Sequence, residues 1–96
     1  MTKLKLMADY QCFPVWRDDE GQVGNVDPRT LPISESLKTR LLVWAKTFDS
    51  TLNEDDPLSS GFSSDQAESE FKKDGKALGV QLQDELGPAY FVEVKI

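Results

Sequence analysis

Ser34-Glu-Ser-Leu-Lys-Thr-Arg-Leu-Leu-Val-Trp-Ala-Lys-Thr-Phe-Asp-Ser-Thr-Leu52 is the stretch on which the fold turns. Leu37, Leu41, Trp44, Ala45, Phe48 and Leu52 recur every three or four residues, the spacing of one face of an α-helix. Ser34 is placed to cap it, and Glu35 favours the positive end of the helix dipole. Asn53 to Pro57 ends it. A second helical stripe, Ala67, Phe71, Gly75, Leu78, Leu82 and Leu86, follows a polar connection over 53–64. Ser63 and Gln66 have the spacing of a capping box, and Gly87-Pro88 is a stop signal. Gly75 lies inside the apolar stripe at some cost in helix propensity, a cost that close approach of another backbone would explain.

Outside the helices the period changes to two. Leu4, Leu6 and Ala8 alternate with Lys3, Lys5 and Met7, while Tyr90, Val92, Val94 and Ile96 alternate with Phe91, Glu93 and Lys95. Each is a strand with one buried side. Between the first strand and the first helix, Tyr10 to Trp16 is irregular and rich in aromatics. Pro14 argues against a central strand there, so a turn or an edge strand is expected. Asp18-Asp-Glu-Gly21 reads as a turn, with Val15-Trp16 and Gln22-Val23 as flanks that can pair in a short hairpin. Asn25 to Pro32 reads as a loop. The expected architecture is α+β: one domain over residues 1–96, with a small sheet holding both terminal strands and a two-helix hairpin packed on one face. The few strands leave the sheet edges open, and a homodimer through such an edge is compatible with the sequence.

The chemistry is narrowed by what the chain lacks. It contains no histidine and a single cysteine, Cys12. A conventional Ser–His–Asp site, a Cys–His pair and a zinc ligand set are all out of reach. Neither a dinucleotide fingerprint nor a phosphate loop is present, and the acidic runs lack the spacing of a calcium loop. Cys12, between Gln11 and Phe13, is expected to be a small buried hydrophobe. A paired-carboxylate hydrolase would need a cleft that a domain of this size rarely encloses. No catalytic, cofactor-binding or metal-ligating residues are assigned, and binding rather than catalysis is expected. There is neither a secretory leader pattern nor an apolar run of membrane-spanning length, so the expected location is the cytoplasm.

Charge points to the kind of partner. With 17 Asp+Glu against 11 Lys+Arg the net charge is −6, which repels phosphate backbones and anionic membranes and favours a basic protein. Between Lys46 and Lys72 there is no cation, while Asp49, Glu54, Asp55, Asp56, Asp65, Glu68 and Glu70 all fall there. An antiparallel helix hairpin would gather these carboxylates at one end of the molecule. They are the primary candidates for partner binding; Asp18, Asp19 and Glu20, next to the aromatic segment, are the second set.

Several motifs recur together in a group of small bacterial proteins that this chain resembles: Leu6-Met-Ala-Asp-Tyr10, Cys12-Phe-Pro-Val-Trp16, Gly24-Asn-Val-Asp-Pro28, Leu31-Pro-Ile-Ser34, Asp55-Asp-Pro57 with Ser60-Gly-Phe62, and Glu85-Leu-Gly-Pro88. Some members look like immunity proteins of contact-dependent growth inhibition and related polymorphic toxin systems. The resemblance implies a cytoplasmic antitoxin that binds one toxin domain delivered by a neighbouring cell and blocks its active site. Toxins of this kind are often nucleases with basic grooves, against which an acidic surface would mimic nucleic acid. The alternative reading is a housekeeping interaction module with no toxin partner.

Overall fold

The computed structural model describes residues 2–19, 21–51, 61–62 and 64–95. Four strands, β1 (Thr2–Leu6), β2 (Val15–Asp19), β3 (Gln22–Val26) and β4 (Tyr90–Val94), form one sheet in the order β3-β2-β1-β4. β1 runs antiparallel to β2 and parallel to β4; both terminal strands belong to one sheet, as expected, and there they lie side by side. Two helices, α1 (Glu35–Asp49) and α2 (Asp65–Leu86), pack on one face.

Register explains which side chains reach that face. Leu4 stands beside Val92 and Leu6 beside Val94 and Val15, and these meet Leu37, Leu41, Trp44, Phe71, Leu78, Leu82 and Leu86 from the helices. Leu6, Val15, Leu37, Leu41 and Leu82 are fully buried. The same register turns Lys3, Lys5, Trp16, Phe91 and Glu93 to the opposite, uncovered face.

The helices are antiparallel, and both ends of the pair are fastened. Ser34 Oγ accepts from Leu37 N–H at 3.2 Å as the α1 cap. The Glu85 carboxylate, near the end of α2, accepts from Ser34 N–H at 2.6 Å and Ser34 Oγ at 3.0 Å. At the far end Trp44 Nε1 donates to the Phe71 carbonyl at 3.0 Å. The Glu85 carboxyl is held below the usual range, first by the Ser34 backbone N–H and then by the Gln81 amide.

Four local expectations are corrected. Pro14 does not keep the following residues out of the sheet centre. It precedes β2; its carbonyl accepts from Met7 N–H at 2.9 Å, and Trp16 Nε1 donates at 2.9 Å to the Met7 carbonyl that Pro14, lacking an N–H, cannot serve. Asp18 and Asp19 belong to β2 rather than to the turn, so Val15 and Trp16 pair with Val26 and Asn25, and Gln22 and Val23 pair with Asp19 and Asp18. The residues expected as a loop after Gly24 continue β3 and then enter a 3-10 turn, Pro28–Thr30, capped by Asp27. The α2 cap is Ser64, whose hydroxyl accepts from Ala67 N–H at 3.1 Å, one residue beyond the expected Ser63. Ser63 and Leu52 lie outside the described residues.

Gly79 is a position of close approach on α2. A Cβ built there would overlap Val94 Cγ2 on β4, with Leu6 Cδ2 at 3.7 Å behind it. Gly75 is buried in the same stripe. Gly79→Ala is therefore expected to lower stability by about 1–3 kcal/mol through overpacking, despite a gain in helix propensity of about 1 kcal/mol. Denaturant unfolding measures it. Adding Val94→Ala should recover most of the loss; a Gly79→Ala protein at least as stable as the parent would mean the helix and strand are not in tight contact.

Candidate functional site

The antiparallel helices bring the end of α1 to the start of α2. Asp49, Asp65, Glu68 and Glu70 thus share one end of the helix pair, while Glu54, Asp55 and Asp56 lie outside the described residues. The four carboxylates are not equivalent. Asp49 Oδ1 accepts from Gln11 N–H at 2.8 Å and so anchors the segment after β1, in which Gln11 takes a positive φ of 59°. Tyr10, next to it, stacks on Phe48 at 4.6 Å and shares a hydrogen bond of 2.9 Å with Thr51 Oγ1. Asp49 is therefore a structural ligand for its own chain. Glu68 pairs with Lys72 Nζ at 3.2 Å, and both line a hollow beside Phe62 and Phe71 that Lys95 also borders. The window lacks cations in sequence but not in space.

Glu70 and Asp65 are exposed. Glu70 borders a groove of about 540 Å³ between the helices, lined at its base by Trp44, Phe71 and Leu78. Val43, 58% exposed, forms part of the α1 wall. Asp74 lies one helical turn beyond Glu70 on the same wall, and neither makes an ion pair among the described residues. Sequence reasoning missed Asp74 because the cation-free window closes at Lys72; the i,i+4 step from Glu70 was the available signal. Arg40 stands on the α1 side, with its guanidinium hydrogen-bonded to Gln81. The site is an apolar trough with acidic side chains on one wall and a single arginine on the other.

The second set is not brought to the first. Asp19 lies beside the start of β1, accepting from Lys3 N–H and pairing with Arg17 Nε at 2.9 Å. The Lys3 N–H, and after it Arg17, hold the Asp19 carboxyl below its ordinary range. That is the end of the sheet near the end of α2, opposite the carboxylates described above. Asp18 faces the uncovered side of the sheet beside Val23. Glu20 lies outside the described residues.

The aromatic segment is mostly structural. Trp16 Nε1 donates to the Met7 carbonyl at 2.9 Å, and Pro14 and Val15 are buried. Cys12 is half-buried beside a shallow hollow formed with Phe13, Leu42 and Ala45, more open than the buried thiol expected. Phe13, its neighbour, is tied to Asn25, whose amide spans both the Phe13 N–H and C=O, and this holds the segment at the sheet margin.

Among the described residues, no group of three or more His, Cys, Asp or Glu side chains is suited to a metal ion, and no helix is long and apolar enough to cross a membrane. The trough thus joins an apolar floor to charged walls on a helix pair fastened at both ends, a composition common to protein-binding surfaces. The chain belongs to the Serratia CdiI immunity protein-like family, whose model matches residues 2–95. Comparison with curated proteins returned no match. Membership makes this an immunity protein and implies a cognate toxin as its partner.

Proposed function

We propose that this protein neutralises a cognate, nuclease-type toxin domain in the cytoplasm, binding it without catalysis through the acidic end of the helix pair. The observation that carries the reading is the trough between α1 and α2: Trp44, Phe71 and Leu78 at its base, with Glu70 and Asp74 on its wall, neither in an ion pair among the described residues. Apolar surface beside unpaired carboxylates suits a basic, partly apolar protein surface better than a phosphate backbone, which an acidic chain repels. Nucleic acid and membrane are accordingly not its direct ligands. Glu70, Asp65 and Asp74 contact the toxin in this reading, with Glu54, Asp55 and Asp56 beside them in sequence. Asp49 supports from behind. Asp18, Asp19 and Glu20 belong to a separate surface.

Co-expression with the toxin-encoding reading frame next to this one tests the proposal. A stable complex, rescued growth and loss of toxin nuclease activity are expected. A toxin that is neutralised but attacks membranes rather than nucleic acid would overturn the nuclease assignment. Absence of both complex and toxicity would favour an interaction module with another partner.

A further inference from the structure

The two edges of the sheet are finished differently. On β4, the Gln83 side chain reaches over from α2 and takes the place of a neighbouring strand. Its Oε1 accepts from Val92 N–H at 2.8 Å and its Nε2 donates to the Tyr90 carbonyl at 2.8 Å. Lys95 N–H points the other way, to the Leu6 carbonyl of β1 at 2.9 Å. The groups that Gln83 occupies are therefore those an added strand would need.

β3 has no such cover among the described residues. Asp19 and Gln22 flank a two-residue loop, so Gln22, Gly24 and Val26 direct their backbone groups to β2. Val23 and Asn25 direct theirs outward. The strand Gln22-Val-Gly-Asn-Val26 carries neither a charge nor a proline, the usual protections of an edge. Val23 is 80% exposed. The Asn25 side chain is retained by its own chain, donating to the Phe13 carbonyl at 2.7 Å, so it does not obstruct the edge.

We propose that β3 is a dimerisation edge at which a second copy of this chain pairs antiparallel about a two-fold axis at Gly24. The register follows from which residues face outward. Val23 pairs with Asn25 of the second copy, and Asn25 with its Val23, each pair exchanging both N–H···O bonds. Gly24 then faces itself across a pair without hydrogen bonds, where Cα atoms lie about 4.5 Å apart. The strand is self-complementary, and the two acidic chains meet through a segment that contains no carboxylate. Charge thus favours this segment over the acidic end of the helices as a contact between copies.

Cysteine cross-linking with sedimentation velocity tests this, in a Cys12→Ser background. A side chain at Gly24 meets nothing within 4 Å, so Gly24→Cys is accommodated within the protomer. Under mild oxidation the Gly24→Cys chain is expected to form a disulfide dimer, because the axial separation falls within the range for such bonds. Val23→Cys, whose counterpart across the axis is asparagine, should cross-link far less. The unmodified chain should sediment as a reversible dimer, and Val23→Lys should raise its dissociation constant about threefold by setting two lysines diagonally across the axis. Circular dichroism verifies that each variant is folded. The proposal is overturned by a monomer at every concentration, or by equal cross-linking at the two positions. It is overturned equally by a monomeric chain whose β3 edge instead takes up a strand of the toxin, seen as toxin binding lost in Val23→Lys.

Discussion

Phe71→Ala is expected to destabilise the protein by about 3–5 kcal/mol, the usual cost of emptying a buried aromatic site. Phe71 is 6% exposed and stands at the centre of an aromatic block. Trp44 stacks on it with ring centroids 4.5 Å apart and an interplanar angle of 4°, Phe62 lies at 5.1 Å, and Phe48 at 5.6 Å, itself stacked on Tyr10. These rings come from α1, α2, the residues before α2 and the segment after β1. Removing the central one loosens all four, and aromatic pairs contribute beyond their buried area. Marginal stability makes the loss large in proportion: for a domain of this size it corresponds to a fall in Tm of roughly 12–30 °C. Phe71→Leu, which keeps most of the volume, should cost less than half as much. A loss below about 1 kcal/mol for Phe71→Ala, measured by urea unfolding, would show that the block collapses without penalty and is not the keystone of this end.

That block also explains what the sequence could and could not disclose. Stripes such as Leu37, Leu41 and Trp44, or Leu78, Leu82 and Leu86, specify helices because periodicity is a local property. The alternation around Leu4 and Val92 specifies strands for the same reason. Pairing is not local. That β2 sits inside the sheet depends on Pro14 offering its carbonyl rather than its missing N–H, which a rule about proline in strands does not anticipate. That Gly79 also accommodates β4 depends on where Val94 arrives from the end of the chain.

The same limit applied to charge. A run without Lys or Arg located the acidic end of the helix pair, since an antiparallel hairpin returns the start of α2 to the end of α1. It could not tell that Asp49 is committed to the Gln11 N–H or that Lys95 arrives near Glu68 from β4. Nor could it separate Asp18 and Asp19 from the helix-end group, because the strand direction that carries them away is a matter of topology. Among the described residues, the helix-end acids with no internal ion pair are fewer than the composition implies: Asp65, Glu70 and Asp74.

Reversing two of these, Glu70→Lys with Asp74→Lys, is expected to slow association with the cognate toxin by about tenfold at low ionic strength, because steering by a focused field dominates encounter between oppositely charged surfaces. Both residues line the trough and are free of ion pairs among the described residues, so the fold should be unaffected. Asp49 is a poor probe, since its reversal would also release Gln11. The informative control is Asp84→Lys with Glu93→Lys, which changes net charge equally at exposed positions away from the trough. Surface plasmon resonance over a salt series separates the possibilities. If the trough is the contact, its variant loses both on-rate and complex lifetime while the control loses on-rate alone. The on-rate difference should shrink once the Debye length falls to a few ångströms, about 3 Å at 1 M salt. Equal effects from the two pairs would reduce the role of charge to bulk attraction, and no effect from either would remove electrostatics from recognition, leaving Val43 and the apolar floor to carry the binding.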